Sequence, residues 1–274
     1  MAAAYVLPDV TLAMRPSTLP CIATVTDTAA TIARVREEEE SKPSRERLFE
    51  DPFAHLFRGG DAAAEVLERF ASAPFFRESV RVRTRFIDDG VRDAVASGIR
   101  QVLILGAGFD CRALRLPEFA AQSVAVFEVD FAEQLRTKRE ILTRAGIVVP
   151  ERVHAVSCDF MAPEFAARLS RDLQASGFDA GAATCMLWEG VISYLNDAGI
   201  DATLRWLARA GSPGSRLVFN YTTFRLTTAA LLERVHAAGF AAVFDYGCDE
   251  LYRRYLQSEP PPYGEFYRLG EARV

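Results

Sequence analysis

The chain has 274 residues, half of them hydrophobic, and carries a net charge of −5 at pH 7. It is long enough to bury one large core, and its acidity argues against binding to nucleic acid or to an anionic membrane. No apolar run approaches the roughly 20 residues of a membrane span, and the five cysteines form no CxxC pair and no metal-ligand spacing to a histidine. We therefore expect a soluble, cytoplasmic protein with reduced thiols and no metal site.

The first 75 residues predict an arm and a lid of short helices. The opening MAAAYVLPDVTLAM lacks a basic start and is interrupted by a proline and an aspartate, which is typical of an arm rather than a signal peptide. Ile32 and Val35 precede the glutamates at 37–40 at helical spacing, which predicts that these glutamates lie on a solvated helix face. Pro43 should end that helix.

The rest of the chain predicts a larger α/β domain over residues 76–274. Ile87, Val91 and Val95 recur at four-residue spacing and predict an amphipathic helix. Five short apolar runs then alternate with helical segments, at 101–105, 124–129, 153–157, 182–187 and 216–221. Such alternation predicts a doubly wound, mostly parallel sheet with helices on both faces. Two late runs, near 241–246 and 266–269, predict an antiparallel edge and bring the sheet to seven strands.

Glycine and acidic residues follow the predicted strands at the end where open α/β sheets bind ligands. The loop Gly106-Ala107-Gly108 follows the first strand, and Asp130 follows the second about twenty residues later, as expected of a carboxylate that accepts hydrogen bonds from a ribose. A tight strand-to-helix turn explains the glycines equally well by themselves; together with the carboxylate they favour a nucleoside ligand. Cys111 stands where a dinucleotide fingerprint has its third glycine. This favours S-adenosylmethionine (SAM) over NAD, because SAM carries a ribose and an amino acid but no phosphate.

Six blocks of the chain closely resemble, in the same order, the leucine carboxyl methyltransferase family of class I SAM-dependent enzymes. They span roughly residues 30–222: LFEDPFAHLF (48–57), RTRFID (83–88), QVLILGAGFDCRALRL (101–116), FEVDF (127–131), VSCDF (156–160) and WEGVISYL (188–195). Within this family, the tetracenomycin-type polyketide carboxyl methyltransferases are closer to this chain in size than the phosphatase-modifying eukaryotic enzyme is. The resemblance implies the class I, Rossmann-like fold, SAM as cofactor and O-methyl transfer.

The resemblance also implies roles at the amino-acid end of SAM. Arg85 would pair with the carboxylate, which suits the fork of a guanidinium, although the residue by itself reads as a helix-surface arginine. Gly106, Ala107 and Gly108 would pass under the methionine part, and Glu189 would face the amino group. A basic residue before the motif Asp51-Pro52 would lie near SAM. Arg36 and Lys42 are the two candidates, and the alternative for each is a solvated surface charge.

At the nucleoside end, the resemblance implies that Asp130 binds the ribose hydroxyls. Glu128 would share this role or would instead be a buried strand residue with a local partner. Asp159 would accept a hydrogen bond from the adenine amino group, with Phe160 against the ring; the alternative for Asp159 is an N-cap of the next helix.

The resemblance implies O-methyl transfer to a small molecule such as a polyketide. A carboxylate acceptor needs no general base, so the lack of an obvious histidine base favours methyl-ester formation. His154 lies at the wrong end of its strand, His236 lies in a late helix, and only His55 in the lid is placed to face the site. Tyr194 is a further substrate-side candidate, or an ordinary half-buried tyrosine.

Several alternatives remain open at this stage. Arg81 and Arg225 are conceivable clamps for the acceptor, and the segment after strand five lacks the longer insertion that covers the substrate in the family. A phenolic or hydroxyl acceptor, an NAD(P)-dependent oxidoreductase and a SAM-binding protein without catalysis are the competing functions.

Overall fold

The computed structural model describes residues 24–274, so the predicted N-terminal arm and Cys21 lie outside the described residues. Its frame is a seven-stranded sheet in the order β3-β2-β1-β4-β5-β7-β6. The strands are β1 (Gln101–Leu105), β2 (Ala125–Asp130), β3 (Val153–Ser157), β4 (Thr184–Trp188), β5 (Arg216–Thr222), β6 (Ala242–Gly247) and β7 (Tyr267–Arg273).

The sheet is mixed, with its antiparallel part at one edge. Strands β1 to β5 pair in parallel, whereas β7 runs antiparallel between β5 and β6. The predicted doubly wound sheet with an antiparallel edge is therefore confirmed.

Helices cover both faces of the sheet. They are α1 (Val25–Glu38), α2 (Asp61–Ala71), α3 (Phe76–Ala96), α4 (Arg112–Arg115), α5 (Pro117–Ala121), α6 (Ala132–Arg144), α7 (Phe165–Ala175), α8 (Asp197–Ala210), α9 (Thr228–Ala238) and α10 (Cys248–Leu256). Short 3₁₀ turns lie at 39–41, 54–57, 192–194 and 264–266. Between residues 24 and 274, no helix combines the length and the apolar character that crossing a bilayer requires.

The core has two layers because successive side chains of a strand point to opposite faces. In β1, Leu103 and Leu105 join the layer under α7, α8 and α9. Val102 and Ile104 join the other layer, against α3. Burial on both faces explains why β1 is apolar from Val102 to Leu105 rather than alternating.

The segment before α3 packs over the carboxyl ends of the parallel strands. A capping box of Thr24 and Asp27 starts α1, and this helix packs on α2. The prediction that the glutamates at 37–40 lie on a solvated face was wrong for Glu39. This residue is fully buried and accepts a hydrogen bond from Arg81 Nε at 2.6 Å. Our boundary at residue 75 falls next to the start of α3, and the separation of a lid from the α/β domain stays a prediction.

Candidate active site

A cavity of about 360 Å³ opens where the parallel strands end, with α1, α2 and α3 over it. This volume lies within the range of small-molecule sites. The cavity brings together most of the residues that the sequence singled out: Gly106, Ala107, Gly108, Asp130, Asp159, Phe160, Glu189 and Tyr194. Three further candidates, Arg85, Glu128 and His55, are not among its lining residues.

Arg85 faces away from the cavity. Its Nε donates to both carboxylate oxygens of Asp89 at 2.9 Å, and its guanidinium lies over the ring of Tyr255 in α10. Arg83 lines the cavity instead, and its Nε donates to Glu189 Oε1 at 2.8 Å.

The sequence did contain a signal for Arg83. The four-residue spacing of Ile87, Val91 and Val95, all fully buried, extends backwards to position 83. Residues two apart on a helix with 3.6 residues per turn lie on nearly opposite sides, so position 85 falls off the inward face.

Glu128 has a local partner, which was the second of its two interpretations. Its Oε1 lies 2.8 Å from Lys138 Nζ, and both side chains are buried. The same ammonium group donates to the backbone oxygen of Asp110. Burial raises the pKa of Glu128, although Lys138 opposes the rise. This pair ties α6 to β2 and to the loop after β1.

The three histidines also lie away from the cavity lining. His55 is exposed on the 3₁₀ turn at 54–57, which removes the geometric basis for its substrate-side role. His154 stacks on Phe127 with ring centroids 4.9 Å apart, and His236 Nδ1 lies 3.3 Å from the backbone oxygen of Phe240. No histidine is therefore placed to take a proton from an acceptor in the cavity.

The glycine loop is held against the end of β2. The backbone N–H groups of Gly106 and Ala107 donate to Val129 O at 2.8 and 3.1 Å, and Gly108 N–H donates to Asp130 Oδ2 at 2.7 Å. Gly106 has a φ of +67°, and a Cβ added there would lie 2.2 Å from Val191 Cγ2, so a side chain would strain the backbone and strike the next loop. The glycines and Asp130 thus form one structural unit.

The two acidic residues that the resemblance assigns to the nucleoside differ in their surroundings. Asp130 is buried, and burial raises its pKa although the N–H groups of Gly108 and Phe131 oppose the rise. Asp159 is exposed and accepts a hydrogen bond from Met161 N–H at 2.9 Å. It does not cap the next helix, because α7 begins only at Phe165.

A cluster of buried ion pairs lies behind Glu189. Arg112 is 1% exposed; its Nε donates to Asp88 Oδ1 at 2.7 Å, and its Nη1 donates to Asp110 and to Glu189 Oε2, the latter at 2.9 Å. Arg115 is buried against Asp88. Both arginines are therefore buried partners of carboxylates rather than exposed charges.

This cluster keeps its carboxylates ionised. Burial alone would raise the pKa of Asp110, but Arg112 and Lys138 lower it to about 2. Burial likewise opposes the charge of Glu189, and Arg112 and Arg83 lower its pKa below the usual range. Carboxylates with such low pKa values are weak bases at neutral pH.

Arg36 connects α1 to the glycine loop. Its Nε lies 3.1 Å from Asp51 Oδ2, and its Nη2 donates to the backbone oxygen of Phe109 at 2.6 Å. It lines the cavity, whereas Lys42 does not. Of the two basic candidates before the DP motif, Arg36 is thus the one at the site.

The family model described as Leucine carboxyl methyltransferase matches residues 27–208 of the chain. The chain belongs to the leucine carboxyl methyltransferase family. A Frankia alni relative named "Putative S-adenosyl-L-methionine-dependent methyltransferase" is 35% identical over 228 residues, which cover 81% of this chain and 78% of the relative. One from Mycobacteroides abscessus with the same designation is 39% identical over 156 residues, 57% of this chain and 49% of the relative.

Solved structures bear out the fold of this family member. A methyltransferase structure from Thermobifida fusca aligns with a TM-score of 0.54 at 18% identity, covering 88% of this chain and 94% of that one. A DUF574 family protein from Streptomyces avermitilis aligns with a TM-score of 0.52 at 17% identity, covering 87% and 99%. The chain therefore has the Rossmann-like class I methyltransferase fold, and the relatives that it matches are named as SAM-dependent methyltransferases. The match spans about half the length of the Mycobacteroides relative.

Proposed function

We propose that the protein is an O-methyltransferase that transfers the methyl group of SAM to the carboxylate of a small molecule. The observation that carries the proposal is the set of charged groups on the cavity, which complements SAM and offers no general base. No histidine occurs among the described lining residues. Of the four lining carboxylates, Asp110 and Glu189 have lowered pKa values, and the proposal assigns Asp130 and Asp159 to the nucleoside rather than to the acceptor. A carboxylate acceptor is already ionised at neutral pH and needs no base, whereas a phenol with a pKa of about 10 gains from one.

In this proposal, the pair of Arg83 and Glu189 receives the amino-acid part of SAM. That part is a zwitterion, and the pair presents one cation and one anion on the cavity wall. Arg83 would bind the carboxylate in place of Arg85, and Glu189 would face the ammonium group. Arg112 holds Glu189 from behind through its other carboxylate oxygen, which orients the carboxylate.

The nucleoside would lie across the ends of β2 and β3. Asp130 would accept hydrogen bonds from the ribose hydroxyls, with the glycine loop close to the backbone of the ligand. Asp159 would meet the adenine amino group, and Phe160, which is 8% exposed, would support the ring. These assignments fit the donors and acceptors that each part of SAM offers.

When bound, SAM supplies a methyl group on a positively charged sulfur. Transfer is an in-line displacement, so the protein contributes by aligning the acceptor oxygen and excluding water. Arg83, Glu189 and Asp130 would anchor the donor at both ends. The helices α1, α2 and α3 would shield the reacting atoms from solvent, and Arg36 would hold α1 to the loop beneath the ligand.

The reaction is tested by incubating the protein with radiolabelled SAM and a panel of small aromatic and polyketide-like acids, then treating the products with alkali. We expect alkali to release radioactive methanol, because methyl esters hydrolyse and aryl methyl ethers do not. A labelled product that survives alkali would contradict the carboxylate acceptor and would favour a phenolic one. Binding of SAM without transfer to any acid or phenol would favour the non-catalytic alternative.

The ribose assignment predicts a defect in the Asp130→Asn variant. The amide removes the negative charge but keeps the size of the side chain, so SAM affinity should fall roughly 10-fold, as expected when a charge-assisted hydrogen bond becomes a neutral one. Calorimetric titration with SAM measures the change. Glu133→Gln is the control, since that side chain is 80% exposed on α6 and should leave the affinity unchanged. Equal affinities for Asp130→Asn and wild type would remove Asp130 from the ribose site.

A further inference from the structure

The acidic side chains among the described lining residues of the cavity all come from one part of the sheet edge. The cavity crosses the sheet edge in the order β3, β2, β1, β4, β5 and β7. Asp159, Asp130, Asp110 and Glu189 follow the first four of these strands in that order. The lining residues from β5 and β7 are neutral: Asn220, Thr222 and Tyr267.

The helices α1, α2 and α3 add an apolar wall. Phe70 of α2 and Phe76 of α3 have ring centroids 5.2 Å apart, and both line the cavity together with Ile32 of α1. Ser79 lies one turn before Arg83 on α3 and donates to the backbone oxygen of Phe76 at 2.7 Å. We call the set of Ile32, Phe70, Phe76, Ser79, Asn220, Thr222 and Tyr267 the neutral pocket.

The neighbouring cations are engaged elsewhere. In the proposed function Arg83 binds the carboxylate of SAM in addition to Glu189, and Arg36 is bound to Asp51 and to the backbone oxygen of Phe109. The two arginines considered from the sequence as acceptor clamps do not line the cavity: Arg81 pairs with Glu39, and Arg225 pairs with Asp197. Within residues 24–274, the neutral pocket therefore offers no side-chain cation for a second acidic group of an acceptor.

An unpaired charge is costly to bury, whereas aromatic walls favour flat apolar groups. From this contrast we infer that the acceptor has an aromatic or alkyl body and carries no charge besides the reacting carboxylate. The neutral pocket holds that body through the rings of Phe70 and Phe76. Asn220 Oδ1 already accepts from Gly190 N–H at 2.7 Å, so its NH₂ group is the polar contact that it offers to an uncharged oxygen of the acceptor. Dicarboxylates and zwitterionic amino acids are disfavoured. This inference rests on the proposed function.

Two probe acids that differ in one charge test it: 3-phenylpropanoate and 4-(2-carboxyethyl)benzoate. Each is titrated calorimetrically into protein saturated with S-adenosylhomocysteine. We expect the monoacid to bind at least ~10-fold more tightly, because the second carboxylate finds no partner in the neutral pocket. Equal binding, tighter binding of the diacid, or no binding of the monoacid overturns the inference.

A gain-of-charge variant makes the test independent of how well these probes imitate the natural acceptor. Thr222→Lys places an ammonium group at the end of β5 and should reverse the preference in favour of the diacid. Thr222→Met, of similar length without charge, should keep the preference for the monoacid. Unchanged affinity for S-adenosylhomocysteine verifies that each variant is folded. A preference that Thr222→Lys leaves unaltered contradicts the inference.

The same titrations separate this inference from the proposed function. If S-adenosylhomocysteine binds and the monoacid is preferred but no ester forms, the proposed function fails and the character of the pocket stands. If esters form on both probe acids with the same kcat/KM, the proposed function stands and the inference fails.

Discussion

Replacing Arg112 by methionine is expected to lower the free energy of unfolding by about 3–5 kcal/mol, the cost of breaking a buried ion pair by removing one partner. Arg112 is fully buried and contacts Asp88, Asp110 and Glu189. Its loss leaves three carboxylates short of a partner that their burial requires. Urea denaturation of the variant and the wild type measures the difference.

The matched control is Arg136→Met, which removes an arginine from the surface of α6. Arg136 is 64% exposed and its ion pairs with Glu133 and Glu140 are 3.8 Å long, so the change should stay below about 1 kcal/mol. A loss for Arg112→Met that matches this control would show that the buried cluster does not stabilise the fold.

The deficit of Arg112→Met should also depend on pH. In the wild type, Arg112 together with Lys138 lowers the pKa of Asp110 to about 2, and Arg115 and Arg112 lower that of Asp88. Carboxylates with lowered pKa values stabilise the folded state above their unfolded pKa of about 4, and this contribution is lost as the pH falls towards the folded value. The two unfolding free energies should therefore converge between about pH 4 and pH 2, and a constant difference would contradict this account.

Replacing Arg83 by methionine is expected to weaken SAM binding by roughly 10- to 100-fold, the range for losing a hydrogen bond to a charged group. Arg83 is the guanidinium that reaches the cavity from α3. Without it, the carboxylate of SAM loses its partner and Glu189 retains only Arg112. Calorimetric titration gives the affinity, and circular dichroism checks that the fold is kept.

Arg85→Met is the decisive companion variant, because it removes the same side chain two residues further along the same helix. Arg85 binds Asp89 outside the cavity, so its loss should leave SAM affinity unchanged. The opposite pattern, with Arg85→Met impaired and Arg83→Met unaffected, would restore the prediction made from the resemblance.

The contrast between these two arginines shows what a local sequence pattern can predict and what it cannot. The motif RTRFID contains both, and the resemblance assigned the ligand role to the second. Helical periodicity, counted back from the buried Ile87, places the first on the inward face. A motif identifies which short segment meets the ligand, whereas the orientation of each side chain depends on how the helix is rotated against the sheet.

The buried charged residues show a second limit of prediction from sequence. Arg112, Arg115 and Glu39 look like surface residues in the sequence, because charged side chains are rarely buried without partners. Their partners come from distant segments: Asp88 for the two arginines and Arg81 for Glu39. Pairing across such separations leaves no local periodicity, so only the assembled structure reveals it.

The sequence by itself predicted the seven-stranded sheet with its antiparallel edge and the glycine and acidic residues at the strand ends that line the cavity. Those features depend on interactions that are local in the chain: apolar runs that form buried strands, glycines that permit a positive φ, and a carboxylate placed one strand later. The tertiary structure decided which arginine reaches the cavity, that Glu128 belongs to Lys138, and that the β5–β7 side of the cavity is neutral. Each of these depends on side chains from separate helices and strands meeting in space, and burial then favours those contacts that leave no charge unpaired.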